Sequence, residues 1–285
     1  MLNIIGQDIC FKGGIRMKVH IWHTGRVYID RALAFREKGL HPIPYSGWLR
    51  GENKKMWVPV STYLIEHPKG LILVDTGWNE EIRINQKKHL GRLAYSMFRG
   101  ELPVGESIVD KLNNFGVKSS EIDFVFLTHL HSDHVSGLSH VQDAKKILTS
   151  ELELKAANKK IGYIKSMWEG IPIETFILED IPYGPFNKGL DFFGDGSLFL
   201  VHTPGHSEGM FSLLVKMNES WLLLASDVGY AKKSWEQMIL PGVTSNKIHA
   251  KKSLEWIQSF SQRKDCIRVI ANHDSEITPF TIGET

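Results

Sequence analysis

The run Thr128-His129-Leu130-His131-Ser132-Asp133-His134 limits this chain more than any other stretch. It follows Phe124-Val125-Phe126-Leu127, a short apolar run that reads as a buried strand. Three imidazoles and one carboxylate between residues 129 and 134 form a metal-ligand density, not a core-packing pattern. On an extended or tightly turned backbone, alternate side chains point the same way. His129 and His131 can therefore face one point, and Asp133 with His134 a second one nearby. A solvated, histidine-rich loop is the bland alternative. The strand leading into the cluster, and further ligand types downstream, speak against it.

Other parts of the chain repeat the arrangement. Leu71-Ile72-Leu73-Val74 ends at Asp75, and the strand 197–202 delivers Thr203-Pro204-Gly205-His206. Trp221 to Ala225 runs into Asp227, and Ile267 to Ala271 into His273. Five apolar strands thus end in polar groups, and strand ends converge at one edge of a layered sheet structure. Five histidines and two aspartates are enough for two metal ions. Imidazole with carboxylate and no thiolate suits zinc, and also iron, manganese or cobalt. Asp75 has two possible roles: capping the turn after its strand, or supporting a metal-bound histidine from behind.

The rest of the chain sets the frame. Its 285 residues, 42% hydrophobic and 23% charged, suit a globular domain with a well-buried core. A net charge of +2 without a long basic run gives no nucleic-acid footprint. The apolar runs are too short to cross a bilayer, and no signal peptide is read at the start. Cys10 and Cys266 are too few for a disulfide framework and suit a reducing compartment, so a cytoplasmic location is expected. Residues 1–16 read as an N-terminal arm or as a mis-assigned start ahead of Met17; residues 17–285 read as one domain of two mixed β-layers with helices outside. Glu106 to Phe115 and Ser245 to Gln262, the longest pattern, read as helices. Ser150 reads as a helix cap, with Glu151 and Glu153 as first-turn acids. Residues 35–57 read as a long aromatic loop or lid, 78–104 as a polar connection, and 163–196 as irregular.

The order His-x-His-x-Asp-His, Thr-Pro-Gly-His, a lone Asp after an apolar strand, and a late His resembles the metallo-β-lactamase superfamily over about residues 17–280. The resemblance implies an α/β fold, an αββα sandwich with a dinuclear site at one edge. One metal would take His129, His131 and His206, the other Asp133, His134 and His273, and Asp227 would bridge them. β-Lactamases of the superfamily carry Cys at the place of Asp227, which argues against that activity. Tyr230, three residues after Asp227, and the stretch His273-Asp274-Ser275-Glu276 are similar to the N-acyl-homoserine lactonases. Ile277, where many of them have Gln, and the long 35–57 loop depart from their pattern. The implied reaction is the opening of a lactone ring by a metal-bridging hydroxide. Tyr230 would stabilise the developing oxyanion and Asp133 would pass a proton to the leaving alkoxide. Trp48, Met97 and Phe98 would cover an acyl tail. Another lactone, an ester or a thioester is the alternative substrate, and a metal-binding protein without turnover the non-enzymatic one.

Overall fold

Along the second long strand, neighbouring apolar residues bury themselves on opposite sides of a sheet, and that alternation organises the molecule. The computed structural model describes residues 17–283; the expectation about an N-terminal arm concerns residues 1–16, which lie outside the described residues. The first sheet contains β1 (Lys18–Asp30), β2 (Lys55–His67), β3 (Gly70–Val74), β4 (Arg99–Glu101), β5 (Phe124–Phe126), β6 (Ile147–Ser150) and β7 (Glu174–Phe176). The second contains β8 (Glu179–Asp180), β9 (Lys188–Asp191), β10 (Leu198–His202), β11 (Phe211–Met217), β12 (Ser220–Leu224) and β13 (Cys266–Ile270); β14 (Phe280–Gly283) returns to the edge of the first. Both sheets are mixed: β3, β5, β6 and β7 run parallel, as do β12 and β13, and the other pairings are antiparallel.

Three apolar layers follow from the alternation. Ile65, Ile72, Val74 and Phe126 of the first sheet meet Leu200, Leu213, Leu222 and Leu224 of the second in the middle layer. On the outer face of the first sheet, Leu64, Leu73 and Val125 pack against helices α2 (Glu81–Met97) and α3 (Ile108–Phe115) through Ile82, Leu90, Ile108 and Leu112. On the outer face of the second, Val201, Leu214 and Leu223 pack against α7 (Lys247–Ser261) through Leu254, Ile257 and Phe260. The result is the expected αββα sandwich. Shorter helices α1 (Arg31–Ala34), α4 (Ser132–Val135), α5 (Glu151–Ala157) and α6 (Lys232–Glu236) fill the connections.

Four local expectations are corrected. The 78–104 connection is mostly helix: α2 spans 17 residues and exceeds α7, but it is broken at Asn85 (φ −149°) and at Gly91 (φ +75°). The 163–196 stretch holds the short strands β7, β8 and β9. The first strand, which the apolar run from Lys18 to Trp22 marks in the sequence, runs on to Asp30. The 35–57 loop is shorter than expected, because β2 already begins at Lys55.

Candidate metal centre

Topology brings the polar strand ends together. In the second sheet β10 and β12 flank the antiparallel β11, and β13 is parallel to β12, so β10, β12 and β13 all finish at one edge. In the first sheet β3 and β5 are parallel and finish side by side. Phe211 N–H donates to Thr128 O, joining the two edges. Past these ends lie Asp75, the 128–134 turn, His206, Asp227 and His273. At the His206 turn, Gly205 has φ +135°, and a Cβ there would lie 2.2 Å from Ala250 N, so glycine lets the turn press against α7.

Asp227 stands in the centre. Its Oδ2 is 3.9 Å from His129 Nε2, 3.4 Å from His206 Nε2 and 3.3 Å from His273 Nε2, and its Oδ1 is 3.4 Å from His134 Nε2. Asp133 Oδ2 is 3.4 Å from His273 Nε2 and 3.9 Å from His134 Nε2. His131 Nδ1 faces His206 Nε2 at 2.8 Å. Ligand atoms within 4.8 Å of one another form the groups His129–His131–His206, His129–His134–Asp227 and Asp133–His134–His273. All seven sequence-selected ligands are therefore in one cluster, with Asp227 between the two outer groups.

The backs of four of the five rings are tied down, which fixes the nitrogen that faces inward. His134 Nδ1–H donates to Asp75 Oδ2 at 2.8 Å, His273 Nδ1–H to Pro59 O at 2.7 Å and His206 Nδ1–H to Val243 O at 3.3 Å. His129 Nδ1 lies 3.2 Å from Thr128 Oγ1. Asp75 supports His134 from behind and also accepts from Thr128 N–H and Thr128 Oγ1–H, each at 2.8 Å, so the turn it caps is the one that opens the 128–134 segment and not the one after its own strand. At the front, His129 Nε2, His134 Nε2, His273 Nε2 and Asp227 Oδ1 are buried without a hydrogen-bond partner. Buried polar atoms are rarely left so, and lone pairs aimed at one small volume are what a divalent cation satisfies. The donor set fits two such ions.

The electrostatics divide the rings into two sets. Burial, with the neighbouring imidazoles, holds His129 and His131 well below the ordinary histidine range, and burial likewise lowers His206; these rings keep free lone pairs. Burial opposes the charged form of His134 and His273 too, but the carboxylates Asp227 and Asp133, with Asp75 at His134, outweigh it and push His134 well up and His273 up, so on these two rings a cation would take the place of a proton. Burial also opposes an ionised Asp227, yet His273 and His134 keep its carboxyl well below the usual range. Burial, then the carboxylates of Asp227 and Asp133, push the Tyr230 hydroxyl well above the tyrosine range, so it stays a donor.

A pocket opens from this cluster. His131, Ser132, Asp133, His206 and Tyr230 form its polar end, and Val27, Ile29, Leu33, Met97, Phe98 and Val243 are among its apolar walls. The Tyr230 ring stacks on His273 at 4.7 Å between centroids. Of the three residues expected over a tail, Met97 and Phe98 line the pocket. Trp48 does not: it is 40% exposed and donates through Nε1 to Ser96 Oγ. Missed altogether was Glu153, a fully buried carboxylate behind the cluster; an acid in the first turn of a helix gives no sign of it.

Known proteins share these features. The metallo-beta-lactamase superfamily model matches residues 56–260. An N-acyl homoserine lactonase AttM of Rhizobium radiobacter is 27% identical over 232 residues, covering 80% of this chain and 86% of the relative. An N-acyl homoserine lactonase of Bacillus cereus is 30% identical over 183 residues, covering 64% of this chain and 68% of the relative. Among solved structures, an N-acyl homoserine lactone hydrolase with the product N-hexanoyl-L-homoserine bound at its catalytic metal center superposes with a TM-score of 0.73, at 23% identity over 91% of this chain and 94% of that one.

Proposed function

Because the chain belongs to the metallo-beta-lactamase superfamily, we propose that it is a metal-dependent hydrolase that opens the lactone ring of N-acyl-homoserine lactones. One observation carries the reading: the apolar-walled pocket ends on the histidine–aspartate cluster, and Tyr230 lines it with its ring stacked on His273. The relatives named for this activity support it. Residues 17–285 form one catalytic domain in this reading. His129, His131 and His206 hold one divalent ion and Asp133, His134 and His273 the other, with Asp227 shared. Imidazole and carboxylate donors favour zinc and also suit iron, manganese or cobalt. Such ions supply Lewis acidity and a water acidic enough to yield hydroxide near neutral pH.

The chain's own residues do the rest. Tyr230, kept protonated by burial and by the carboxylates Asp227 and Asp133, donates to the lactone carbonyl oxygen as that atom gains charge. Asp133, with 18% of its side chain exposed, faces the pocket and can carry a proton to the leaving ring oxygen. Val27, Ile29, Leu33, Met97 and Phe98 seat an acyl tail and keep water from it. Among the described residues no helix is long and apolar enough to cross a membrane; the cysteine usage fits the cytoplasm, where this reading places the enzyme.

The test is a panel of lactones, thioesters and phosphodiesters offered to zinc-, manganese- and cobalt-loaded protein. Acid release from acyl-homoserine lactones, faster than from the other classes, is expected. Turnover of thioesters alone would replace the lactonase reading with a thioesterase on the same site.

A further inference from the structure

Glu153 has no exposed surface and sits one helical turn after the cap Ser150. Its carboxylate accepts four hydrogen bonds in a two-by-two pattern. Oε1 takes Leu130 N–H at 3.0 Å and Tyr163 O–H at 3.1 Å. Oε2 takes Ser207 Oγ–H at 2.6 Å and Gly209 N–H at 3.0 Å. Leu130 lies between His129 and His131; Ser207 and Gly209 follow His206. One side chain therefore ties the backbone carrying two histidines to the backbone carrying a third. The distance it governs is the one at which His131 Nδ1 meets His206 Nε2, 2.8 Å.

The surroundings are built to hold this carboxylate. Ser150 Oγ accepts from Glu153 N–H and donates to Gly209 O at 2.7 Å. A Cβ at Gly209 would lie 2.0 Å from Glu153 N, so glycine is required for the approach. Tyr163 adds a ring tilted against His131 at 5.1 Å, while its neighbours Ile161 and Gly162 line the pocket. Burial pushes the Glu153 carboxyl above the usual carboxylate range, and four donors, two of them backbone N–H groups, offset part of that cost.

We propose that Glu153 is a positioning residue that holds His129, His131 and His206 at cation-binding separation, and that it serves this half of the centre and not the half built on Asp133, His134 and His273. The proposal rests on the metal-site reading given above. It has a sharp consequence for an isosteric change. In Glu153→Gln only one of the two positions remains an oxygen. Whichever way the amide turns, its NH2 group faces either Leu130 N–H or Gly209 N–H. A hydroxyl on that side can rotate and accept, but a backbone N–H cannot. One strand of the tie is lost in either orientation.

The experiment is chelator competition on the purified full chain, followed ion by ion with cobalt absorption. Wild type is expected to bind two ions. Glu153→Gln should bind one of them about ten- to a hundredfold more weakly, the range for lost outer-sphere support, and the other as wild type does. The weakened ion should be the one lost in His131→Gln, not the one lost in His273→Gln. Tyr163→Phe should weaken the same ion by a smaller factor. Wild-type affinity for both ions in Glu153→Gln, or equal loss of both, would overturn the proposal. If Glu153→Gln yields too little folded protein, Ser207→Ala is read in the same way, and unchanged binding of both ions there overturns it. A wild-type chain that binds no ion refutes the underlying metal-site reading, and the proposal falls with it.

Discussion

Replacing Asp75 by Asn changes the protonation pattern of His134 without changing the shape of the site, and its effect can be worked out atom by atom. Asp75 is in the left-handed region at φ +57°, where Asn is among the better-tolerated residues, so the backbone is not strained by the exchange. The side chain faces one donor that cannot change, Thr128 N–H at Oδ1. The Asn oxygen must therefore take that place. Its NH2 then replaces Oδ2, opposite His134 Nδ1 and Thr128 Oγ1. Thr128 Oγ1 can accept from it. His134 can accept only by moving its proton to Nε2, and that removes the inward lone pair next to Asp227 Oδ1. Keeping the proton on Nδ1 instead sets two N–H groups against each other in a buried place.

Either arrangement loses a charge-assisted hydrogen bond of about 1.5–3 kcal/mol, equivalent to roughly 10- to 150-fold in affinity. Asp75→Asn is therefore expected to weaken, by one to two orders of magnitude, the ion that involves Asp133, His134 and His273. Chelator competition measures it, with circular dichroism to confirm the fold. Asp75→Asn protein that holds both ions with wild-type affinity would refute the tautomer argument. Lower thermal stability with unchanged affinity would reduce Asp75 to the turn cap that Thr128 also indicates.

Three further outcomes are expected. Tyr230→Phe should keep both ions and the fold yet lower kcat for acyl-homoserine lactones about tenfold or more, since one donor to a developing oxyanion is lost; a wild-type kcat and KM would remove Tyr230 from the chemistry. Asp227→Ala, which deletes the carboxylate lying 3.3 to 3.9 Å from four histidine nitrogens, should lower metal content and abolish hydrolysis, as read by elemental analysis and the lactone assay. His67, buried between the sheets' far ends with Nδ1 accepting Lys69 N–H and Nε2 bonded to Ser197 Oγ, is lowered by burial to about 4 from 6.5. The unfolded chain then binds this proton first as pH falls, so stability should drop from about pH 6.5 down to pH 4, by at most about 3.5 kcal/mol at about 1.4 kcal/mol per unit; urea midpoints of wild type and His67→Gln across that range should converge as pH falls.

Much of the architecture was legible because each site strand is a short apolar run with a polar motif straight after it, as at Val74–Asp75 and Leu224–Asp227. Convergence of those ends follows from strand order, with β3 parallel to β5, β12 parallel to β13, and β10 and β12 on either side of the antiparallel β11, and the sequence pattern does not state that order. What escaped was set by tertiary contacts. Helix α2 hid behind Asn85 and Gly91, whose non-helical backbone breaks the apolar period. The walls at Val27, Ile29 and Leu33 come from the far half of β1 and from α1, and only the packing shows that they face the cluster. Trp48 was assigned to the pocket from loop composition alone, which says nothing about direction.

Asp75 and Glu153 show where the boundary lies. Both are buried carboxylates behind the same cluster, and each accepts a backbone N–H of the 128–130 segment, Thr128 for one and Leu130 for the other. Asp75 follows a buried strand, where a carboxylate already demands a partner, so its importance was readable. Glu153 occupies a helix position where acids are ordinarily exposed and favoured by the helix dipole, so the sequence pattern explained it away. Their contacts diverge after the shared segment: Asp75 reaches His134, whereas Glu153 reaches the turn after His206. The turn from Thr128 to His134 is thus clamped from two sides, and each clamp continues into a different half of the cluster. If the cluster holds two ions as proposed, each ion's affinity is expected to respond to its own buried carboxylate.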